Sequence, residues 1–192
     1  MKHKCLLTAL SLFFSIKAFS QLEMSLKGGF NIATVKTTNI ENADNLKYES
    51  ITGFVFGPSG RLHLNKKIHL NSDFLFSTKG YSIYTFKTTI NYLEMNLLLS
   101  YNVIDNFDIE IGPDFGFKIS INSDQSNLDN GSFNVMDIGA AMGIRYTLVD
   151  KFTLCARYYH GLNSIAELYR TSNSESKTFN RAIQLTIGYK IL

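Results

Sequence analysis

The sequence has 192 residues, 45% of them hydrophobic and 13% aromatic, with 19 Lys and Arg against 16 Asp and Glu. Three of the basic residues, Lys2, Lys4 and Lys17, fall among the first twenty residues beside no acid, which leaves 16 basic against 16 acidic in the rest and no basic stripe for nucleic acid. Of two cysteines, Cys5 lies in the same leading segment, so the remainder keeps only Cys155 and no internal disulfide is expected; Cys155 reads as a small buried residue.

The first element is Met1-Lys2-His3-Lys4, an apolar run from Cys5 to Ile16, and the small-residue pattern Ala18-Phe19-Ser20 before Gln21. A short positive region, an apolar stretch and small residues at the −3 and −1 positions predict a secretory signal peptide over residues 1–20, cut after Ser20. The run is too short for a membrane helix, which needs about 20 apolar residues. No Cys follows it, so no lipid anchor is expected. The mature part, 21–192, reads as one β-barrel domain.

Beyond residue 20 no apolar run is long enough for a membrane helix, but segments of about ten residues alternate apolar with polar or small residues, as transmembrane strands do. In the first, Leu22, Met24, Leu26, Gly28, Phe30 and Ile32 share one face, and Glu23, Ser25, Lys27, Gly29 and Asn31 the other. A period of two makes it a strand. The pattern returns over Thr52–Leu64, Ile68–Thr78, Thr89–Tyr101, Phe107–Ile119, Val135–Leu148, Phe152–Leu162 and Asn180–Leu192. The connections alternate in length: short over 65–67, 102–106 and 149–151, long over 33–51, 79–88, 120–134 and 163–179. Together these predict an all-β fold, an eight-stranded antiparallel up-and-down transmembrane β-barrel with short periplasmic turns and four long extracellular loops.

With no Trp in the sequence, an interfacial girdle must be built from Tyr and Phe. Threading the strands up and down puts Tyr101, Phe107, Tyr146, Phe152 and Tyr189 near one rim and Phe30, Phe54, Phe117 and Tyr158 near the other. Leu97, Leu99, Ile109, Ile111, Ile138, Met142, Ile144, Leu154, Leu185 and Ile187 lie between them at outward parity. Pro58 and Pro113 fall inside strands, each after a Gly, and predict local bulges. Leu75 falls at an inward position.

Inward parity gathers Arg61, Asp73, Glu94, Asp108, Glu110, Asp114, Asp137, Arg145 and Arg157, with His63, Asn96, Lys118 and Gln184. An eight-stranded barrel is just wide enough to be filled by side chains, so charges of both signs are expected to pair and plug the lumen. Paired carboxylates suit acid/base chemistry, but no nucleophile and base stand at a recognisable spacing, and a structural salt-bridge core is the expected role. Glu94 is expected to pair with one of Arg61, Arg145 and Arg157. His63, His69 and His160 lack metal-ligand spacing, and no cofactor is expected. Residues 122–131 are rich in oxygen donors but lack the Glu and spacing of a calcium loop, and read as an exposed polar loop.

The strand Tyr92-Leu93-Glu94-Met95-Asn96-Leu97-Leu98-Leu99-Ser100-Tyr101 resembles the outer-membrane β-barrel family common in Bacteroidota, often labelled porin-family or PorT-like. Gly112-Pro113 with Gly116, Asp137-Ile138-Gly139 with Gly143, Arg157-Tyr158-Tyr159-His160-Gly161-Leu162-Asn163 and Gly188-Tyr189-Lys190 extend the resemblance over nearly the whole mature chain. Asn96 stands where that family usually has Pro, and the chain ends in Ile191-Leu192 rather than Phe. The resemblance implies a fold and an outer-membrane location, with no shared activity.

The functional expectation is therefore a non-enzymatic outer-membrane barrel in contact with outer-membrane lipid and the outer-membrane assembly machinery. Its loops would contact ligands or partners, or its barrel would serve an envelope or secretion-system machine. The alternative is a soluble secreted lipocalin-like binding barrel, which would turn its apolar parity inward and its charges outward. A lipid-acting barrel enzyme would need Ser, His and an acid meeting at the outer rim, where His160 and Ser164 lie but nothing fixes an acid beside them.

Overall fold

The computed structural model describes residues 22–38, 48–124, 133–149, 151–166, 170–171 and 174–192. The expected signal segment, its cut after Ser20 and most of the polar stretch 122–131 lie outside them. The strands are β1 (Leu22–Thr38), β2 (Tyr48–His63), β3 (Ile68–Ile83), β4 (Phe86–Ile104), β5 (Phe107–Ser123), β6 (Met136–Val149), β7 (Phe152–Gly161), the two-residue strands β8 (Arg170–Thr171) and β9 (Ser174–Glu175), and β10 (Lys177–Lys190). Eight of them close a barrel in the order β1-β10-β7-β6-β5-β4-β3-β2, every neighbour antiparallel, while β8 and β9 pair apart from it. Closure leaves no free edge, so the strands pair with one another all round the wall, the condition for crossing a lipid core.

Alternation sets the two faces. Leu97, Leu99, Ile109, Ile111, Met142, Ile144, Leu154, Leu185 and Ile187 are all exposed on the outside, and Ile138 is partly so. Tyr101, Tyr146, Phe152 and Tyr189 stand near the rim of the short turns, Phe152 and Tyr189 with ring centroids 5.1 Å apart. Phe30 and Phe54, 6.0 Å apart, mark the upper part of the same outer face with Phe117 and Tyr158. A soluble lipocalin-like barrel requires the reverse parity; here the outer wall is apolar and the charges point in. Leu97 sits mid-strand on this wall, so Leu97→Lys should destabilise the barrel by about 2–4 kcal/mol, the cost of a cation at the bilayer midplane. Urea unfolding in lipid measures it, and a loss near zero would place Leu97 away from the membrane.

Two details depart from the sequence expectation. Residues 79–88 are not an irregular loop: β3 runs on to Ile83 and β4 starts at Phe86, around a turn at Tyr84–Thr85 in which Tyr84 has φ 53°. The strands carry on because Tyr81, Ile83, Thr88 and Ile90 keep facing inward and are buried there. Nor do the prolines sit in bulges. Pairing of β2 with β3 lapses after Phe56↔Phe76 and resumes at Ser59↔Asp73 in the same register, and that of β4 with β5 lapses likewise between Asn96↔Asp114 and Leu99↔Ile111. Pro lacks one donor, and skipping two residue pairs on one side accommodates it. The preceding glycines permit the pinch, since a Cβ on Gly57 or Gly112 would lie 2.1 Å from the carbonyl oxygen of Phe74 or Leu97. The register shifts fall elsewhere, at Ser50/Val55, Asn91/Tyr92, Asn102/Ile104 and Thr147/Val149.

Candidate functional site

The interior is built in layers. In the half nearer the short turns, Lys27 on β1 donates to both carboxylate oxygens of Asp73 on β3 (3.0 and 2.9 Å), and the Ser59 hydroxyl donates to Asp73 Oδ1 at 2.5 Å. Arg157 on β7 donates to Asp73 through Nη1 and to Glu110 on β5 through Nε. β7 and β3 are diametrically opposed in the ring of eight, so this guanidinium ties opposite walls together. Asn71 donates to Glu110 Oε2 at 3.1 Å, and Arg145 Nε lies 3.7 Å from the same oxygen. Closest to the turns, Arg61 donates to Asp108 at 2.7 Å, and Asn102 donates to its other oxygen at 2.9 Å.

A second layer lies above. Lys79 Nζ is 2.6 Å from Glu94 Oε1, 3.6 Å from Asp137 Oδ2 and 3.4 Å from the centroid of the Tyr159 ring, a cation–π geometry. Asn180 on β10 donates to Asp137 at 2.7 Å and to the Tyr92 hydroxyl at 3.1 Å on β4, again the opposite wall. Asp114 is buried beside them, its Oδ1 without a hydrogen-bond partner among the described residues. One ammonium thus pairs with two of the three carboxylates here. Above this the interior turns apolar: Val35, Tyr81, Ile83, Ile90, Phe133, Ile165 and Ala166 form a core in the projecting strand ends. Phe133 and Ala166 are brought in from the long connections by single β-bridges.

The structure places all nine sequence-identified charged residues in the interior, buried. It brings together Asp73, Glu110, Arg157 and Arg145, and separately Arg61 with Asp108. The partner expected for Glu94 is corrected. It is Lys79, not an arginine, because inward parity continues beyond Thr78 and puts the ammonium on the strand that pairs with Glu94's own. Lys79 was missed because its segment reads as a loop; Lys27 stood on the inner parity of the first strand, but nothing in the sequence tied it to Asp73. Leu75 and Cys155 are both buried.

The remaining chemistry is dispersed. His63 and His69 face each other near the short turns, Nδ1 to Nδ1 2.9 Å, and no group of three or more metal-ligating side chains occurs among the described residues. His160 Nε2 lies 3.1 Å from Arg181 Nη2, while the Ser164 hydroxyl donates to the Ala166 carbonyl at 2.9 Å, so these two engage different partners.

The geometry agrees with what known proteins show. A family model described as outer membrane protein beta-barrel domain matches residues 15–167. The crystal structure of Neisserial surface protein A (NspA) is 13% identical over 88% of this chain and 97% of that one, with a TM-score of 0.55. Ail, the attachment invasion locus protein of Yersinia pestis, is 13% identical over 88% and 98%, with a TM-score of 0.48. OprG from Pseudomonas aeruginosa is 15% identical over 88% and 95%, with a TM-score of 0.47. No curated protein sequence matches the chain.

Proposed function

The chain belongs to the outer membrane protein β-barrel domain family, and on that premise we propose that it acts without catalysis, as a closed membrane scaffold whose long connections are its contact surface. The observation that carries this reading is the lumen itself: Arg157 and Asn180 each reach across to the opposite wall, and buried ion pairs fill the space between. An eight-stranded interior filled in this way is a core rather than a passage. The rim of long connections is then the outward-facing surface offered to ligands or to protein partners of the envelope, secretion machinery included. The motifs of β4 and β7 favour a position among the PorT-like members of the family.

In this reading the short turns face the periplasm and the long connections face outward, after export, signal removal and insertion by the outer-membrane assembly machinery. Single cysteines in a Cys155→Ser background test it. In intact cells, Asp124→Cys and Ser174→Cys should react with a membrane-impermeant maleimide, whereas Lys66→Cys should react only after lysis. Reaction at Lys66→Cys with protection at both loop positions would invert the topology and remove the rim as a contact surface.

A further inference from the structure

At the short-turn end the interior opens into a cavity of about 460 Å³. Its lining includes Arg61, Lys66, Arg145 and Lys190 against Glu23, Asp105 and Asp108, one more cation than carboxylates. Two of the acids are already engaged: Asp108 accepts from Arg61 and Asn102, and Glu23 accepts from Lys190 at 3.0 Å with His63 Nε2 3.5 Å away. Asp105 sits exposed in the β4–β5 turn. Of the two other cations, Lys66 is exposed on the β2–β3 turn and Arg145 is buried. Arg145 is 1% exposed, its Nε and Nη2 have no hydrogen-bond partner among the described residues, and its one carboxylate, Glu110, is 3.7 Å away and held by Arg157 and Asn71. Thr153 Oγ1, also lining the cavity, is a second buried polar atom without a partner.

A buried guanidinium with unused donors is costly, and the planar N–H set of a guanidinium that lines a polar cavity is matched by the oxygens of a phosphate or carboxylate. We propose that this cavity is a binding site for a small oxyanion, with Arg145 as its principal contact and Thr153 beside it. The ligand class is a phosphate- or carboxylate-bearing solute entering from the short-turn side. The site lies opposite the rim of long connections, and its occupancy is independent of whatever that rim contacts.

The test is calorimetric titration of the full barrel, purified from outer membranes in a zwitterionic detergent at constant ionic strength, with sodium phosphate and, separately, sodium acetate. Saturable one-to-one binding of at least one anion is expected, and the stronger of the two assigns the ligand class. Arg145→Gln should weaken it by about tenfold or more, the loss of a charge-assisted contact. Lys87→Gln, exposed at the opposite end of the barrel and outside the cavity, should change it by less than about threefold, as isolated surface charges do. If Arg145→Gln does not fold, Arg145→Lys keeps the charge while losing the planar donor set, and should bind several-fold more weakly. No saturation with either anion in the unaltered protein, or equal binding by the Arg145 variant, would overturn the proposal and leave a water-filled mouth.

Discussion

Arg157→Met is expected to lower the folding free energy by about 3–5 kcal/mol, the cost of removing one partner from a buried ionic network. Arg157 bonds Asp73 and Glu110 at once, across the full width of the lumen. After its removal Asp73 keeps Lys27 and Ser59, but Glu110 is left with Asn71 and a guanidinium at 3.7 Å. The loss should thus fall mainly on Glu110, and adding Glu110→Gln to Arg157→Met should recover part of it. Urea unfolding of both variants in lipid vesicles gives the comparison. A neutral Arg157→Met would mean that the lattice across the lumen contributes little to the fold.

The second large effect is expected at Lys79. Replacing it with Met leaves Glu94 and Asp137 without an ion-pair partner among the described residues, in a pocket that also holds Asp114. A loss of about 3–5 kcal/mol is expected, because uncompensated buried charges of one sign remain. Glu94→Ala should cost less, since Lys79 keeps Asp137 at 3.6 Å and the Tyr159 ring. The double variant Lys79→Met with Glu94→Gln should recover part of the Lys79→Met loss. The order of the two single substitutions, read from unfolding midpoints at one temperature, is the check: Glu94→Ala costing more than Lys79→Met would contradict the pairing.

Much of this was legible from a period of two. Once Leu97 and Leu99 face lipid, Glu94 and Asn96 must face in, and the same parity on the other strands delivers the interior charges without any knowledge of the fold. Pairing across the lumen was not legible, because it depends on how far each strand is staggered around the barrel, and that shear leaves no mark on a single strand. Lys79 shows the cost: Lys79-Gly80 reads as the start of a loop, whereas the inward series Lys79, Tyr81 and Ile83 continues the strand and supplies Glu94's partner. Phe133 and Ile165 carried a weak signal as apolar residues in otherwise polar stretches, and they belong to the apolar core at the barrel's upper end. The prolines misled in the opposite sense. Each breaks pairing on one side only, so the ladder lapses and resumes without a bulge.

That the lumen is a packed core is tested most directly by planar-bilayer recording of the purified, folded barrel in molar salt. No sustained open-channel steps are expected, because Arg157 in one charged layer and Asn180 in the other each span the interior to the opposite wall. Stable steps in the unaltered protein, with a conductance rising in proportion to salt concentration, would contradict that expectation and show a water-filled path where the structure has a lattice of bonds.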